Sequence, residues 1–365
     1  MAKQRKIKHY RYGYSSKRQR RSRFFKGLFF ALLLALLVFL GYCGTRAVKN
    51  LMNRPKGPSE PTSQTESLPP ESSDSSLPEE SSELKPEPTV LPIRAVAVPK
   101  ESMTSPDAVS AFLDTVDKER YNCVAVELKD KTGMLYYQSA VELAATCKAI
   151  SPNAFDAAAL ATLIREKGFT PAARIYALED DIASHASYNT SYLYQNQDIT
   201  WLDRAADQGG RSWLNPYMPA AVEYLSDLTQ EITAAGFEEL FVCSIQYPDS
   251  RYRTEMGLGP NQNSMTPTEA LQNVLDRMTA AAAVSGGSVI PVFRGEGYLE
   301  EENLFYSANA NFFQSQQLSP ILTAGQESEI LATVAASKDT LIPSLTSEAQ
   351  LPLLTSAGIE QYLIG

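Results

Sequence analysis

The chain has 365 residues, enough for two ordinary domains or one large α/β domain, and a net charge of −9 at neutral pH. Of its 33 Lys and Arg, 15 fall in residues 1–56, which hold no Asp or Glu; the rest carries 18 against all 42 acids, a net of −24. An acidic bulk of this kind argues against nucleic acid as a partner, because binding phosphates needs clustered Lys and Arg.

The basic head (residues 1–26) runs into Gly27–Thr45, 19 uncharged residues rich in Leu and Phe. That is long enough to cross a bilayer as a helix. Ten Lys or Arg precede Phe24, and a weaker basic flank follows (Arg46, Lys49, Arg54, Lys56). The positive-inside rule then puts the N-terminus in the cytoplasm and the bulk outside the cell membrane, as a single-pass protein. A cleaved signal peptide is disfavoured by the long charged region and by the lack of a small-x-small cleavage site. The next segment, 46–92, is dominated over 57–92 by Pro, Ser, Glu and Thr with hardly a large apolar residue. It reads as a disordered linker lifting a domain (93–365) off the membrane.

From Ile93 onward the texture is globular. Arg94–Val98 is a short apolar strand ended by Pro99. Ser105–Glu119 has helical spacing after a Ser-Pro start. Asn122–Leu128 is a second strand, Phe155–Lys167 a helix closed by Gly168, and Thr170–Leu178 a third strand. Trp213–Pro248 holds an aromatic-proline loop, an amphipathic helix (Val222, Leu225, Leu228, Ile232, Ala235), Gly236 at the C-cap position and the strand Leu240–Ile245. Glu269–Ala283 is a helix and Ser288–Phe293 a strand. Weaker strand candidates follow at Leu304–Ser307, Ser319–Leu322 and Leu341–Leu345, with a helix over Gln326–Ala336 and a short one within 347–357. Strands alternating with helices imply a parallel sheet, and eight strand candidates fit a (β/α)₈ TIM-type barrel. A doubly wound open sheet is the alternative, although no GxGxxG follows the first strand, so no dinucleotide cofactor is expected.

Four cysteines (Cys43, Cys123, Cys147, Cys243) show no CxxC spacing, and His9 and His185 are the only histidines. Metal binding and Ser-His-Asp or Cys-His hydrolysis are therefore not supported. One disulfide and free thiols both remain open. In a barrel, chemistry gathers at the C-terminal ends of the strands. Reading those ends gives Glu127, Lys129 and Asp130, then Arg174, Glu179, Asp180 and Asp181, then Cys243, Gln246, Tyr247, Asp249 and Arg251, then Arg294 and Glu296. Carboxylates beside Trp201, Trp213, Tyr217 and Tyr247 suggest a sugar site, since rings stack on sugars and glycoside hydrolysis needs two carboxyls. Glu179–Asp181 also reads simply as a solvated turn or a helix N-terminus.

AVELKDKTGMLYY (Ala125–Tyr137) resembles the "IDVKDxxGxxxY" signature of the bacterial putative glycosyl hydrolase domain family. ARIYALED (Ala173–Asp180) is similar to its "ARIVxFKD" segment. WLNPYMPAAVEYLSDLTQEITAAGFEELFVCSIQYP (Trp213–Pro248) resembles its "WVNPYxxxVWxYxxxIAxEAAxxGFDEIQFDYVRFP" segment. The resemblance implies a (β/α)₈ barrel acting on or binding cell-wall or other polysaccharide. On the hydrolase reading, Glu127 and Asp130, or one of these with Glu296 from its strand end, are the catalytic carboxyls, and Lys129, Arg174, Trp213, Tyr217 and Tyr247 the substrate contacts. Two departures stand out. Aligned on Tyr247–Pro248, Cys243 takes the place of the family's acid and Gln246 that of its Arg. A thiol is a poor substitute for a carboxyl in protonating a glycosidic oxygen. Three readings therefore stay open: a hydrolase, a glycan- or wall-binding module with a decayed site, and a scaffold.

Overall fold

The computed structural model describes residues 92–335 and 341–365. The expected head, membrane helix and all but the last residue of the linker lie outside them. No helix among the described residues is long and apolar enough to cross a membrane.

In chain order the strands are β1 (Arg94–Ala97), β2 (Cys123–Lys129), β3 (Leu135–Tyr137), β4 (Ile150–Phe155), β5 (Thr170–Tyr176), β6 (Leu193–Tyr194), β7 (Glu239–Cys243), β8 (Met256–Gly257), β9 (Ser288–Arg294), β10 (Ser319–Ile321), β11 (Ser344–Leu345) and β12 (Tyr362–Ile364). The helices are α1 (Pro106–Leu113), α2 (Glu142–Thr146), α3 (Ala157–Glu166), α4 (Asp181–Ala186), α5 (Pro219–Ala234), α6 (Pro267–Ala283), α7 (Glu327–Ala335) and α8 (Leu351–Ser356). Eight strands pair in parallel in the order β1-β2-β5-β7-β9-β10-β11-β12, and β12 returns to β1. The sheet is closed, so the open doubly wound alternative falls away and the barrel expectation holds.

Alternation along each strand divides the core in two. Ala95, Cys123, Ala125, Ala172, Phe241, Ile290, Val292, Ile342 and Leu363 cluster inside the barrel. Val124, Val126, Ala173, Ile175, Leu240 and Val242 face outward, onto helix residues such as Leu225, Leu228, Ile232, Leu271 and Val274. Small residues on β1, β2 and β5 oppose larger ones on β7 and β9, which lets the layers interlock. The helices begin where the sequence supplies caps. Ser105 accepts from the Ala108 amide, Asp156 from Ala159, and Thr266 with Glu269 forms a capping box before α6. Gly236, at φ 105°, ends α5 as expected. The first helix is shorter than its periodicity predicts: it stops at Leu113, where Thr115 Oγ1 donates back to the Phe112 carbonyl.

The eighth barrel strand differs from the sequence reading. Leu304–Ser307 is a tight turn, not a strand. Asn303 Oδ1 accepts from the Phe305 amide, Ser307 donates its amide to the Asn303 carbonyl, and Ser307 sits at φ 57°. The run is apolar because its rings pack: Tyr306 meets Phe293 and Phe313 edge-on. The strand in its stead is β12, whose Tyr362, Leu363 and Ile364 pair with Arg94, Ala95 and Val96. Three residues at the end of a chain are too few to show a period.

After β2 the chain makes an excursion that the sequence pattern does not announce. β3 turns back antiparallel to β2, and β4 adds parallel to β3 outside the barrel. At this point β2 is irregular. Glu127 pairs with Arg174, yet Lys129 pairs with Ile175, so two steps on β2 face one on β5. A bulge of this kind re-aims the side chain that follows. Strict alternation would send Lys129 into the barrel with Cys123, Ala125 and Glu127. Instead it shares the outward face of Ile175, fully buried, with Nζ 2.9 Å from Asp180 Oδ2 and 2.6 Å from the Tyr176 carbonyl. Asp180 Oδ1 caps α4 through the Ala183 amide. Gly133 lies against this pair at φ 95°, where a Cβ would come 2.0 Å from Asp180 Oδ1.

Two stability measurements test this account. Leu363→Ala is expected to cost about 2–5 kcal/mol in urea unfolding, the usual penalty for emptying a buried Leu site; a loss near zero would mean that β12 does not close the barrel. Lys129→Met strands Asp180 as a buried unpaired charge and is expected to cost about 3–5 kcal/mol. Lys129→Met combined with Asp180→Leu should recover much of that loss; a double variant as unstable as the single one would show that the pair does not act as a unit.

Candidate active site at the mouth of the barrel

The C-terminal ends of β1, β2 and β5 enclose a small pocket of about 220 Å³, lined by Val98, Lys100, Met103, Glu127, Tyr136 and Arg174. Glu127 stands one layer above Ala125 on the inward face of β2, and Arg174 holds the matching level on β5. Arg174 Nη2 donates to Glu127 Oε2 at 2.9 Å, and both side chains keep some exposure, 22% and 18%. Arg174 Nε is buried and has no hydrogen-bond partner.

Glu179 follows β5 and is the functional candidate that sequence reasoning undervalued. Its Oε2 accepts from Ser244 Oγ at 3.2 Å. Burial pushes its pKa up, and the Ser244 hydroxyl with the Lys131 and Arg211 charges offsets only part of that. Glu127, on the inward face of β2, lines the mouth pocket, and Glu179 reaches Ser244, the residue that follows Cys243 at the end of β7. The signal for Glu179 was its place just past a strand end. Its acidic neighbours hid it, because Asp180 and Asp181 in the same run are a helix cap and a helix N-terminal residue.

Cys243 ends β7, in register with Tyr176 and Val292. Burial raises its thiol to about 12 and Arg174 opposes this only in part, so it is neutral at physiological pH. A neutral thiol is neither a proton donor of carboxyl strength nor a nucleophile. Cys123, Cys147 and Cys243 are all free thiols.

The other expected site residues are placed as follows. Asp130 organises the turn after β2. Its Oδ1 accepts from the Thr132 amide, the Thr132 hydroxyl and the Met134 amide, and its Oδ2 from Tyr136 Oη at 2.9 Å. Burial alone would raise its pKa, but these four bonds win and hold the carboxyl below its ordinary value. It borders the pocket through Tyr136 and through Lys100, 4.0 Å away. Glu296 stands after β9, bound by Arg294 (2.6 Å) and Thr323 (3.0 Å). Burial opposes its ionisation, yet its own backbone amide, Arg294 and Thr323 keep it low. Lys129 is the outward-facing partner of Asp180 described above. Trp213, Tyr217 and Tyr247 are buried, with 6%, 1% and 2% exposed. Trp213 Nε1 donates to Asp203 Oδ2, and Tyr247 Oη to the Pro267 carbonyl. These rings pack the loops over the barrel.

One constellation invites a different chemistry. Ser212 Oγ lies 2.7 Å from His185 Nδ1 and 3.0 Å from Asp181 Oδ1. Ser212 is 1% exposed, and Asp181 meets the same ring nitrogen, at 3.1 Å. A relay needs the acid and the nucleophile on opposite nitrogens, so this is a structural tie.

The barrel has counterparts among solved structures. The glycoside hydrolase domain of PgaB (BpsB) from Bordetella bronchiseptica matches 75% of this chain and 94% of its own, at 15% identity and a TM-score of 0.55. A hypothetical protein from Ruminiclostridium thermocellum matches 54% of this chain and 96% of its own, at 17% identity and a TM-score of 0.46. At these identities the likeness to the first concerns the fold, and the second adds nothing further. No curated protein sequence matches the chain. The model of the putative glycosyl hydrolase domain family matches residues 95–289. That span covers more than half of the sequence, includes β1 to the start of β9, and makes this chain a member of the putative glycosyl hydrolase domain family.

Proposed function

We propose that the protein acts on a polysaccharide through the barrel mouth, as a glycoside hydrolase held at the outer face of the cell membrane by residues 27–45 and extended toward wall glycan by the linker. The observation that carries the reading is a pair of carboxyls at the ends of adjacent strands in two different settings, Glu127 lining the pocket and Glu179 bonded to Ser244 beside Cys243. Glu127 is paired with a guanidinium, and Glu179 is half-buried with its pKa raised. Environments that separate two carboxyls in this way assign them different tasks. Glu179 serves as the acid that protonates the leaving oxygen. Glu127, aligned by Arg174, serves as nucleophile or base. Asp130 and Glu296, the other carboxyl candidates, have their carboxyl oxygens engaged by neighbours, which suits shaping their loops better than moving protons.

Cys243 favours a second reading. The strand end where the family pattern has an acid carries a neutral thiol, so a glycan-binding module without turnover uses every other feature of the mouth. Release of reducing ends from wall polysaccharide by the full chain separates the two. Hydrolysis is expected, with Glu127→Gln and Glu179→Gln each lowering it by about two orders of magnitude or more. Saturable binding without release, unchanged by Glu179→Gln, would select the binding module.

The pH profile gives an independent test of Glu179. An acid catalyst must be protonated, so a raised pKa carries the basic limb of kcat/KM above the ordinary carboxyl range. The Ser244 hydroxyl stabilises the charged form of Glu179. Ser244→Ala therefore raises the Glu179 pKa further, and the basic limb should move to higher pH. A limb that stays put or moves down would remove Glu179 from the acid role.

A further inference from the structure

The loops after β5 and β7 leave the C-terminal face of the barrel and meet in a small antiparallel ribbon. There β6 pairs with β8, Leu193 opposite Gly257 and Tyr194 opposite Met256. Beside this ribbon lies an open cleft of about 540 Å³, separate from the mouth pocket and sharing no lining residue with it. Its size is within the range of about 300–1,000 Å³ usual for small-ligand sites.

The lining has a definite chemistry. Tyr188 and Tyr194 supply rings, and among the described residues Tyr188 is the one large aromatic that is mostly exposed, at 54%. Gln195, Asn196, Gln197 and Gln262 supply amides. Gln195 is tied to the Thr254 carbonyl, whereas the side chains of Asn196, Gln197 and Gln262 make no hydrogen bond to the described residues. No Lys or Arg lines the cleft, and Asp198 is its single charge. Each amide offers a donor and an acceptor together, which is what a sugar hydroxyl offers in return. A phosphate or sulfate would find no cation, and an apolar helix or acyl chain would find too many polar groups. The floor is kept low by glycine: a Cβ on Gly257 would come 3.0 Å from the Leu193 carbonyl, and one on Gly259 2.9 Å from Met218 Sδ. Asn196, at φ 60°, lifts its side chain from a left-handed turn at the ribbon tip.

On the reading that the mouth takes a glycan, we propose that this cleft is a second carbohydrate subsite, which grips uncharged pyranose units of the same chain at a distance from the mouth. Tyr188 stacks on a sugar face, and Asn196, Gln197 and Gln262 bind its hydroxyls. Both sites lie on loops of one barrel face, so one long chain can engage both.

Calorimetry on the full chain in a sugar-free detergent tests this, with cellohexaose, chitohexaose and the matching disaccharides as neutral probes. At least one hexasaccharide is expected to bind more tightly than its disaccharide. Tyr188→Ala should weaken the hexasaccharide about three- to tenfold, the value of one ring contact. It should leave the disaccharide and the thermal midpoint unchanged, and Gln197→Ala should act in the same direction. If both cleft variants bind the hexasaccharide as wild type does while Arg174→Ala weakens it, the cleft proposal is overturned and the mouth reading stands. If the cleft variants weaken binding and Arg174→Ala has no effect, the cleft proposal stands and the mouth reading fails. Absence of binding by any probe overturns both.

Discussion

An ammonium buried without exposure must be paired, and the pairing of Lys129 with Asp180 sets the geometry from which the mouth is built. Losing water costs each ion several kcal/mol, so the two groups must meet closely and be bonded on their other sides as well. Lys129 reaches the Tyr176 carbonyl, and Asp180 caps α4. To reach Asp180, β2 must bulge after Glu127, and the chain beyond it must press a glycine against the pair. One ion pair thus joins the end of β2, the end of β5 and the start of α4. Glu127, just before the bulge, is left as the last inward side chain of β2. Glu179, just before Asp180, is fixed where β5 leaves the sheet.

The same constraint separates groups that look alike in sequence. Glu127, Lys129 and Asp130 are neighbours in the chain, yet one faces the pocket, one is sealed outside the barrel and one folds the turn between them. Charge, exposure and hydrogen bonding follow from those positions. Asp130 is ringed by four donors, while Glu179 has one hydroxyl and distant cations. A carboxyl with many donors is held ionised, and a carboxyl with few can hold its proton.

Much of the fold was legible in the chain. β1, β2, β5, β7 and β9 are apolar runs of four to seven residues that end at loop signals, and each lies where its run predicts. The later strands are shorter, and two or three residues carry no period; there Phe305 and Tyr306, which pack over the barrel, imitated a strand, and Tyr362–Ile364, which is one, was passed over. The site was half legible. Glu127 and Arg174 follow from alternation, because β2 and β5 are regular up to their level. The placement of Lys129 does not follow, since a bulge is a property of two strands and a local sequence shows only one. Trp213, Tyr217 and Tyr247 suggest sugar platforms from type and position alone. Rings near a strand end are equally suited to covering a barrel, and only their burial separates the two uses.

Cys243 shows how a barrel can change one strand end without losing its mouth. All eight strands deliver their C-terminal ends to the same face, so a group missing from one strand can be supplied by the next. β5 and β7 are adjacent, with Tyr176 beside Cys243. The loop after β5 carries Glu179 back to Ser244, the residue that follows Cys243. A carboxyl therefore stands within one residue of the position where the family pattern has its acid, delivered from the neighbouring strand. The neutral thiol adds no charge there, and burial pushes the pKa of Glu179 up. Glu179 stands directly before Asp180, so the chain that positions it is held by the buried Lys129–Asp180 pair.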